Sequence, residues 1–453
     1  MAPDLSAHRL IGWNVAPATI AAIVVLLATY HALHTVLLAS VLTSPVPIGD
    51  HWRLIAQYAT WLDGDYGPLG FLRRHNEHII VTTKLVLFSD ALFLGMHGVL
   101  PRIVYFATTA TIAVLLAHLT FGPKSGLAAT LAASAIFTGF FWSTSQFLVI
   151  YWDFLIGFPL AHLFVIACLL ALSLALVENS RSRWLWLGLA IYFDILAVIS
   201  IGGGIFLIAP AVALAIWIRR FNLALLSFLA AHCALAILYW QSDGNRAISV
   251  SATFNPAAYF DFLIVFLGWP FRFWGAHRPA GMIELALFAL AVGAFTWRAV
   301  ASKRPVNRLD AILLAIACFA VLEGAAAAVT RYQFGVNNRY QTIIVLHLAS
   351  MCGLFFRNIG SLPGGPAVRS IARTLALAAA GALTLVFNAP ENEAAWRTRI
   401  ASYEKATAAM MSGDYSPETM KIVTLSDRNI EQDMLTLEEL RLGPFDDRLK
   451  QGR

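Results

Sequence analysis

The sequence predicts an all-α polytopic membrane protein, and three observations carry the prediction. Hydrophobic residues make up 59% of the 453, and only 13% are charged; a soluble domain carries about 25% charged residues. Apolar runs such as IAAIVVLLATYHALHTVLLASVL and AHLFVIACLLALSLALV recur along most of the chain, and a bilayer core needs about 20 mostly apolar residues per helix. The basic residues behind the net charge of +6 sit in short loops between those runs. That placement gives them a topological role and makes nucleic acid a poor partner.

Hydropathy places about eleven spans, near 16–42, 101–120, 126–142, 154–177, 185–202, 204–218, 222–240, 280–299, 309–329, 341–356 and 371–388. The first is long enough to span and lacks the small-residue cleavage pattern of a signal peptide. The fifth and sixth are joined only by Gly202-Gly203-Gly204, a tight hairpin or a broken helix. Such a break is tolerated where it is buried in protein or lines a cavity. The four cysteines, Cys168, Cys233, Cys318 and Cys352, lie inside apolar runs without metal-site spacing and read as small packing residues.

Orientation follows from charge. With the N-terminus in the cytoplasm, inner loops carry Arg181, Arg183, Arg219, Arg220, Arg298, Arg304 and Arg357, while outer loops collect Asp50, Asp63, Asp65, Glu77, Asp153, Asp243 and Asp261. One segment tests this count. IIVTTKLVLFSDALFLG, residues 79–95, could span, but every later loop would then flip and put ENSRSR and SKRPVNR outside. Thr82, Thr83, Lys84, Ser89 and Asp90 also make it more polar than its neighbours. It is therefore expected to be an interfacial or partly inserted helix at the outer face. Residues 1–390 form the membrane domain, with a first outer loop over about 45–98 containing juxtamembrane helices. Residues 391–453 form a charged tail outside the cytoplasm, with LTLEELRLGPF as a short amphipathic helix.

Chemistry concentrates in the outer loops. SPVPIGDHWRLI places Asp50, His51 and Arg53 just beyond the first span. A carboxylate there can act as general base on a hydroxyl or bind a divalent cation. It can equally N-cap a helix over 51–61. Asp63 and Asp65 form a D-x-D, which reads better as a turn than as a metal site. RRHNEHIIV brings Arg73, Arg74, His75, Glu77 and His78 against an apolar run. A helix starting at Glu77 with Asn76 as N-cap explains part of that charge. The histidines and arginines stay available to a phosphate, an acceptor or a metal. Later loops add Gln146 and Asp153 among aromatics, Arg272 within WPFRFWGAHRP, and Arg339 and Tyr340 at the entry to a span. His31, His34, His162, His232 and His347 lie within the spans, mostly single, and are expected to be neutral and satisfied by neighbouring helices.

The first span, the long outer loop beginning GDHW and containing HNEHII, the many following spans and the late NNRYQT resemble the GT-C superfamily of membrane glycosyltransferases, in an uncharacterised bacterial inner-membrane branch. The resemblance covers about residues 16–390 in layout and only short stretches in motif. It implies a sugar donor on a polyprenyl phosphate and a cell-envelope glycan, lipid or protein as acceptor, on the non-cytoplasmic face. It maps the family's outer-loop acid onto Asp50 by position, as base or metal ligand. His51, Arg53, Arg74, His75, Glu77, His78, Gln146, Asp153, Arg272, Arg339 and Tyr340 would then bind substrate. Arg74, Lys84, Arg272 and Arg339 are the cations available to a departing phosphate. A divalent cation held by Asp50 and Glu77 is the one cofactor candidate. No complete signature of a characterised branch is present, which leaves donor and acceptor open. The alternatives are a transporter or flippase of a lipid-linked saccharide and an O-antigen ligase or polymerase. The first more often shows paired discontinuous helices, and the second usually carries its large outer loop late in the chain.

Overall fold

The computed structural model describes residues 6–75, 78–123, 126–178, 181–241, 254–424 and 429–446. Asn76, Glu77 and Asp243 lie outside these residues. The chain opens with α1 (Ser6–Val41), followed by a loop holding α2 (Trp52–Leu62), α3 (Gly67–Gly70) and α4 (Val81–Leu94). A helical bundle follows. It comprises α5 (Val99–Phe121), α6 (Leu127–Phe141), α7 (Phe147–Tyr151), α8 (Gly157–Val177), α9 (Ser182–Ile201), α10 (Ile208–Ile218), α11 (Leu223–Gln241), α12 (Pro256–Gly268), α13 (His277–Val300), α14 (Arg308–Arg331), α15 (Gln341–Asn358) and α16 (Pro366–Phe387). Three helices close the chain: α17 (Pro390–Met411), α18 (Pro417–Thr424) and α19 (Glu431–Glu439).

Among the described residues, nine helices are long and apolar enough to cross a membrane. Every one of the eleven apolar segments is helical. The two that fall short are 126–142, whose helix forms a pair bent by 42° with Thr144–Tyr151, and 204–218, whose helix is Gly203–Ile218. The protein is thus an all-helical, multi-pass membrane protein. Helices satisfy their own backbone groups, which is what a hydrocarbon environment demands. α8, α14 and α15 form the centre, with 61%, 67% and 61% of their most apolar windows buried, against 6% for α13 at the periphery. Hydropathy overlooks α12, which has 13 residues. It crosses α13 where Gly268 meets Gly281, so closely that neither position has room for a Cβ.

Side-chain contacts sort the loops onto two ends of the bundle. At one end Arg357 donates to the carbonyls of Leu119 and Thr120 and pairs with Asp310. There Asn222 also reaches the Leu176 carbonyl, and the Val306 N–H the Trp217 carbonyl. At the other end a second hydrophobic core builds a cap. Trp52, Ile55 and Tyr58 of α2 and Leu87 and Phe88 of α4 meet Trp396, Ile400 and Tyr403 of α17 and Met434 and Leu437 of α19. The charged tail is therefore a folded part of the cap, because α17 carries a buried apolar stripe at helical spacing. The first loop and the tail share one face.

α4 has 14 residues, about 21 Å of helix, too short for the ~30 Å core. It packs on α5 and α9 beneath the cap, in keeping with an interfacial placement. The expected helix start at Glu77, with Asn76 as cap, falls outside the described residues, and His78 to Ile80 after it are not helical. His75 and His78 exchange backbone hydrogen bonds, 2.7 and 3.1 Å, in an isolated antiparallel bridge, and the helix begins at Val81 after Ile80.

Candidate functional site

Asp50 sits in a 3-10 turn, Gly49–His51, between the extended Ile48, which follows a bend at Pro45 and Val46, and α2. The turn needs glycine at position 49. Its φ is +56°, and the indole of Trp152 lies where a Cβ would be. Asp50 is half-buried and engaged with its surroundings. It does not cap α2: the N-cap position is His51, with no side-chain cap bond. The 3-10 turn feeds the helix directly, which removes the need for a cap. Arg53 is exposed on the next turn.

His51 is buried. Burial first, then the charge of His75, pushes its imidazole down to about 3, so it is neutral. His75 is buried as well, its ring 4.9 Å from that of Phe154. The Asp50 turn also contacts the Asp153–Ile156 turn. Asp50, His51, His75 and Asp153 thus share one region under the cap. One Asp153 oxygen is buried without a hydrogen-bond partner beside the backbone of Gly98, whose N–H donates to Asp90 at 2.7 Å. Asp90 also accepts from Leu100 N–H at 2.7 Å and so caps α5.

His78 and Arg74 leave this region. The Arg74 guanidinium lies 4.7 Å from the ring of Tyr239 on α11 and donates to its carbonyl. His78 Nδ1 is 3.5 Å from the Tyr239 hydroxyl. Glu77 lies outside the described residues, and with it the paired metal reading for Asp50. Among the described residues, no group of three or more His, Cys, Asp or Glu could hold a metal ion.

A second subset gathers at the entry of α15. Gln146 is fully buried, and its Oε1 accepts from Thr342 Oγ1 at 2.9 Å while Nε2 has no partner. The Arg339 guanidinium lies 5.0 Å from the Tyr340 ring, with Nε buried and unpartnered. Tyr340 packs on Phe262 and Phe266, ring centroids 6.3 and 6.0 Å away. Arg272 stacks 4.1 Å from the Phe273 ring and 5.1 Å from that of Trp269, and donates to Asn392 Oδ1 of α17 at 2.5 Å. Burial lowers its guanidinium to about 10. Lys84 is not available to a phosphate. It is fully buried, with Nζ donating to Tyr66 and to three backbone carbonyls.

Sequence reasoning missed the acids inside the spans. Four of the five intramembrane histidines stand beside a carboxylate, not alone. His34 pairs with Glu393 at 2.8 Å, His162 with Glu323 at 2.9 Å, His232 with Asp194 at 3.0 Å and His347 with Glu284 at 3.1 Å. A signal was present. Asp194, Glu284 and Glu323 each stand within an otherwise apolar run, and an acid there asks for a partner.

Fold and site define a multi-pass helical membrane protein whose first loop and C-terminal helices fold into a cap over one end of the bundle. Comparison with protein families, with characterised proteins and with solved structures finds no match to this chain.

Proposed function

We propose that the protein is a membrane glycosyltransferase. It moves a sugar from a polyprenyl-phosphate donor to a cell-envelope glycan, lipid or protein. The capped end would be the non-cytoplasmic face of an inner membrane. The observation that carries this reading is the position of Asp50: half-buried, under the cap, on a turn that Gly49 and Trp152 make rigid. A base so held can take the proton of an acceptor hydroxyl while the sugar–phosphate bond breaks. Arg272 and Arg339, on the same face, would stabilise the phosphate as it leaves. His51 beside Asp50 is neutral and offers the acceptor a hydrogen bond without adding charge.

A second reading, transport of a lipid-linked saccharide, is favoured by one feature. α9 and α10 reverse at Gly202–Gly204, with Glu323 packed directly on Gly203.

The test is transfer by the reconstituted protein from polyprenyl-phosphate sugars to candidate acceptors. Asp50→Asn should lower the rate about 10²–10⁴-fold, the usual contribution of a general base. An unchanged rate would remove Asp50 from that role. No transfer from any donor, together with passage of the labelled lipid across the bilayer, would favour transport.

A further inference from the structure

The glycine hairpin between α9 and α10 gathers titratable groups that sugar transfer does not use. His162 on α8 is fully buried, with Nε2 2.9 Å from Glu323 Oε2 and Nδ1 without a hydrogen-bond partner. Glu323 Oε1 lies against Gly203, where a Cβ would overlap it. One residue earlier, Gly202 lies against the Tyr239 hydroxyl, and His78 Nδ1 is 3.1 Å from where its Cβ would stand. Three residues on, the Ile205 carbonyl is 3.1 Å from His232 Nε2, whose Nδ1 is 3.0 Å from both oxygens of Asp194. Asp194 and His232 are buried too. A single turn of four residues is therefore lined by two histidine–carboxylate couples and reached from the cap by a third histidine.

An ionisable group in the apolar interior is costly, and a purely structural hydrogen bond there needs no charge. Two couples of imidazole and carboxylate, each able to hold or lose a proton without moving a heavy atom, meet a different need. We infer that the hairpin tip is a proton-binding site, in which His162 and Glu323 share one exchangeable proton that enters from the capped face past His78 and Tyr239. On uptake, a proton from water adds to imidazole plus carboxylate and takes the couple from one negative charge to net neutral. On release it returns to water by the same route. Among the described residues, the titratable groups facing the hairpin are Asp194 of α9 with Cys168 of α8 beside it, His232 and Tyr239 of α11, and Arg74 and His78 of the first loop. α10 brings no titratable side chain. On α12 and α13, Asp261 is taken up by Arg278 and Glu284 by His347.

The test is pH-difference infrared spectroscopy of the full chain in nanodiscs, over about pH 4 to 9. The wild type should show a carboxyl band that appears as one proton binds. Glu323→Gln, which keeps a hydrogen-bonding group beside His162, should lose that band. Glu393→Gln, at the half-buried pair with His34, should keep it. ¹⁵N labelling of histidine in the unsubstituted chain provides a readout that needs no variant to fold. One buried imidazole should change protonation or tautomer over the same interval. Spectra of Glu323→Gln that superimpose on the wild type would overturn the proposal. So would the absence of any buried histidine or carboxyl transition.

Discussion

Lys84 Nζ lies 2.9 Å from the Tyr66 hydroxyl at a position with no solvent exposure. It also donates to the carbonyls of Arg73 at 2.8 Å, Gly70 at 3.3 Å and Phe71 at 3.4 Å. The ammonium group is thus a post around which residues 66–73 wind. Burial, and then the charge of Arg73, lowers it to about 8. Its folded form gives up the proton more readily than the unfolded chain does. Stability should therefore rise as pH goes from about 8 to about 10.5, by up to about 3 kcal/mol. Lys84→Met would strand those acceptors and cost about 3 kcal/mol near neutrality, and it should abolish the alkaline rise. Thermal melts in detergent at pH 7.5 and 9.5 check both. A melt of the wild type that falls with rising pH would contradict the assignment.

His51 makes a prediction of the same sign on the acid side. Its imidazole is held down to about 3 by burial and by His75. Below about pH 6.5 the unfolded chain binds a proton that the folded one refuses. Stability from this group is complete above about 6.5 and is lost as pH falls toward 3, at about 1.4 kcal/mol per pH unit. Between pH 7 and 5 the cap should lose about 2 kcal/mol. His51→Leu should flatten that slope whatever its own cost. Near-UV circular dichroism, which reports Trp52 and Trp396 of the cap, follows the transition.

The two predictions concern parts of the chain that hydropathy reads unequally. Each of the eleven apolar segments is a helix, because a run of apolar residues carries its own evidence. Within 79–95 the helix, Val81–Leu94, is too short to count among the nine, and Lys84 and Asp90 already marked this run as more polar than its neighbours. What escaped depends on partners far away in sequence. Glu323 meets His162 across 161 residues, and Asp194 meets His232 across 38. No local pattern encodes either pair. The tail looked like solvated charge because α17 hides Trp396, Ile400 and Tyr403 among polar residues. Its apolar stripe acquires meaning only once α7 and α18 are beside it. RRHNEH read as a helix start because Asn76 is a good cap, whereas the structure closes a bridge between His75 and His78.

The cap should be separable from the bundle in stability. Trp396 is fully buried and lies 6.5 Å from the Phe147 ring, in a core distinct from that of the spans. Trp396→Ala should destabilise the cap by about 3–5 kcal/mol and leave the helical content of the bundle intact. Limited proteolysis should then cut within residues 390–446 while the membrane fragment survives. Cleavage distributed equally over the loops at both ends would argue against a distinct cap core.

The glycine hairpin allows a sharper test, because its two inner glycines face different obstacles. A Cβ at Gly204 would come within 2.5 Å of the Val198 backbone nitrogen and 2.6 Å of the Ala197 carbonyl carbon. Neither can move without unwinding the end of α9, so Gly204→Ala should cost about 3 kcal/mol, the upper end for overpacking. At Gly203 the obstacle is the Glu323 carboxylate, the far end of a side chain held by its bond to His162. Gly203→Ala should cost only about 1 kcal/mol, and that cost should depend on Glu323. In a double-mutant cycle, Gly203→Ala with Glu323→Ala should be less destabilised than the two single changes added together, by about 1 kcal/mol. Gly204→Ala with Glu323→Ala should be additive, since the backbone of α9 remains where it is. Equal coupling in both cycles would mean that Glu323 does not rest on Gly203, and the polar hairpin would lose its central contact.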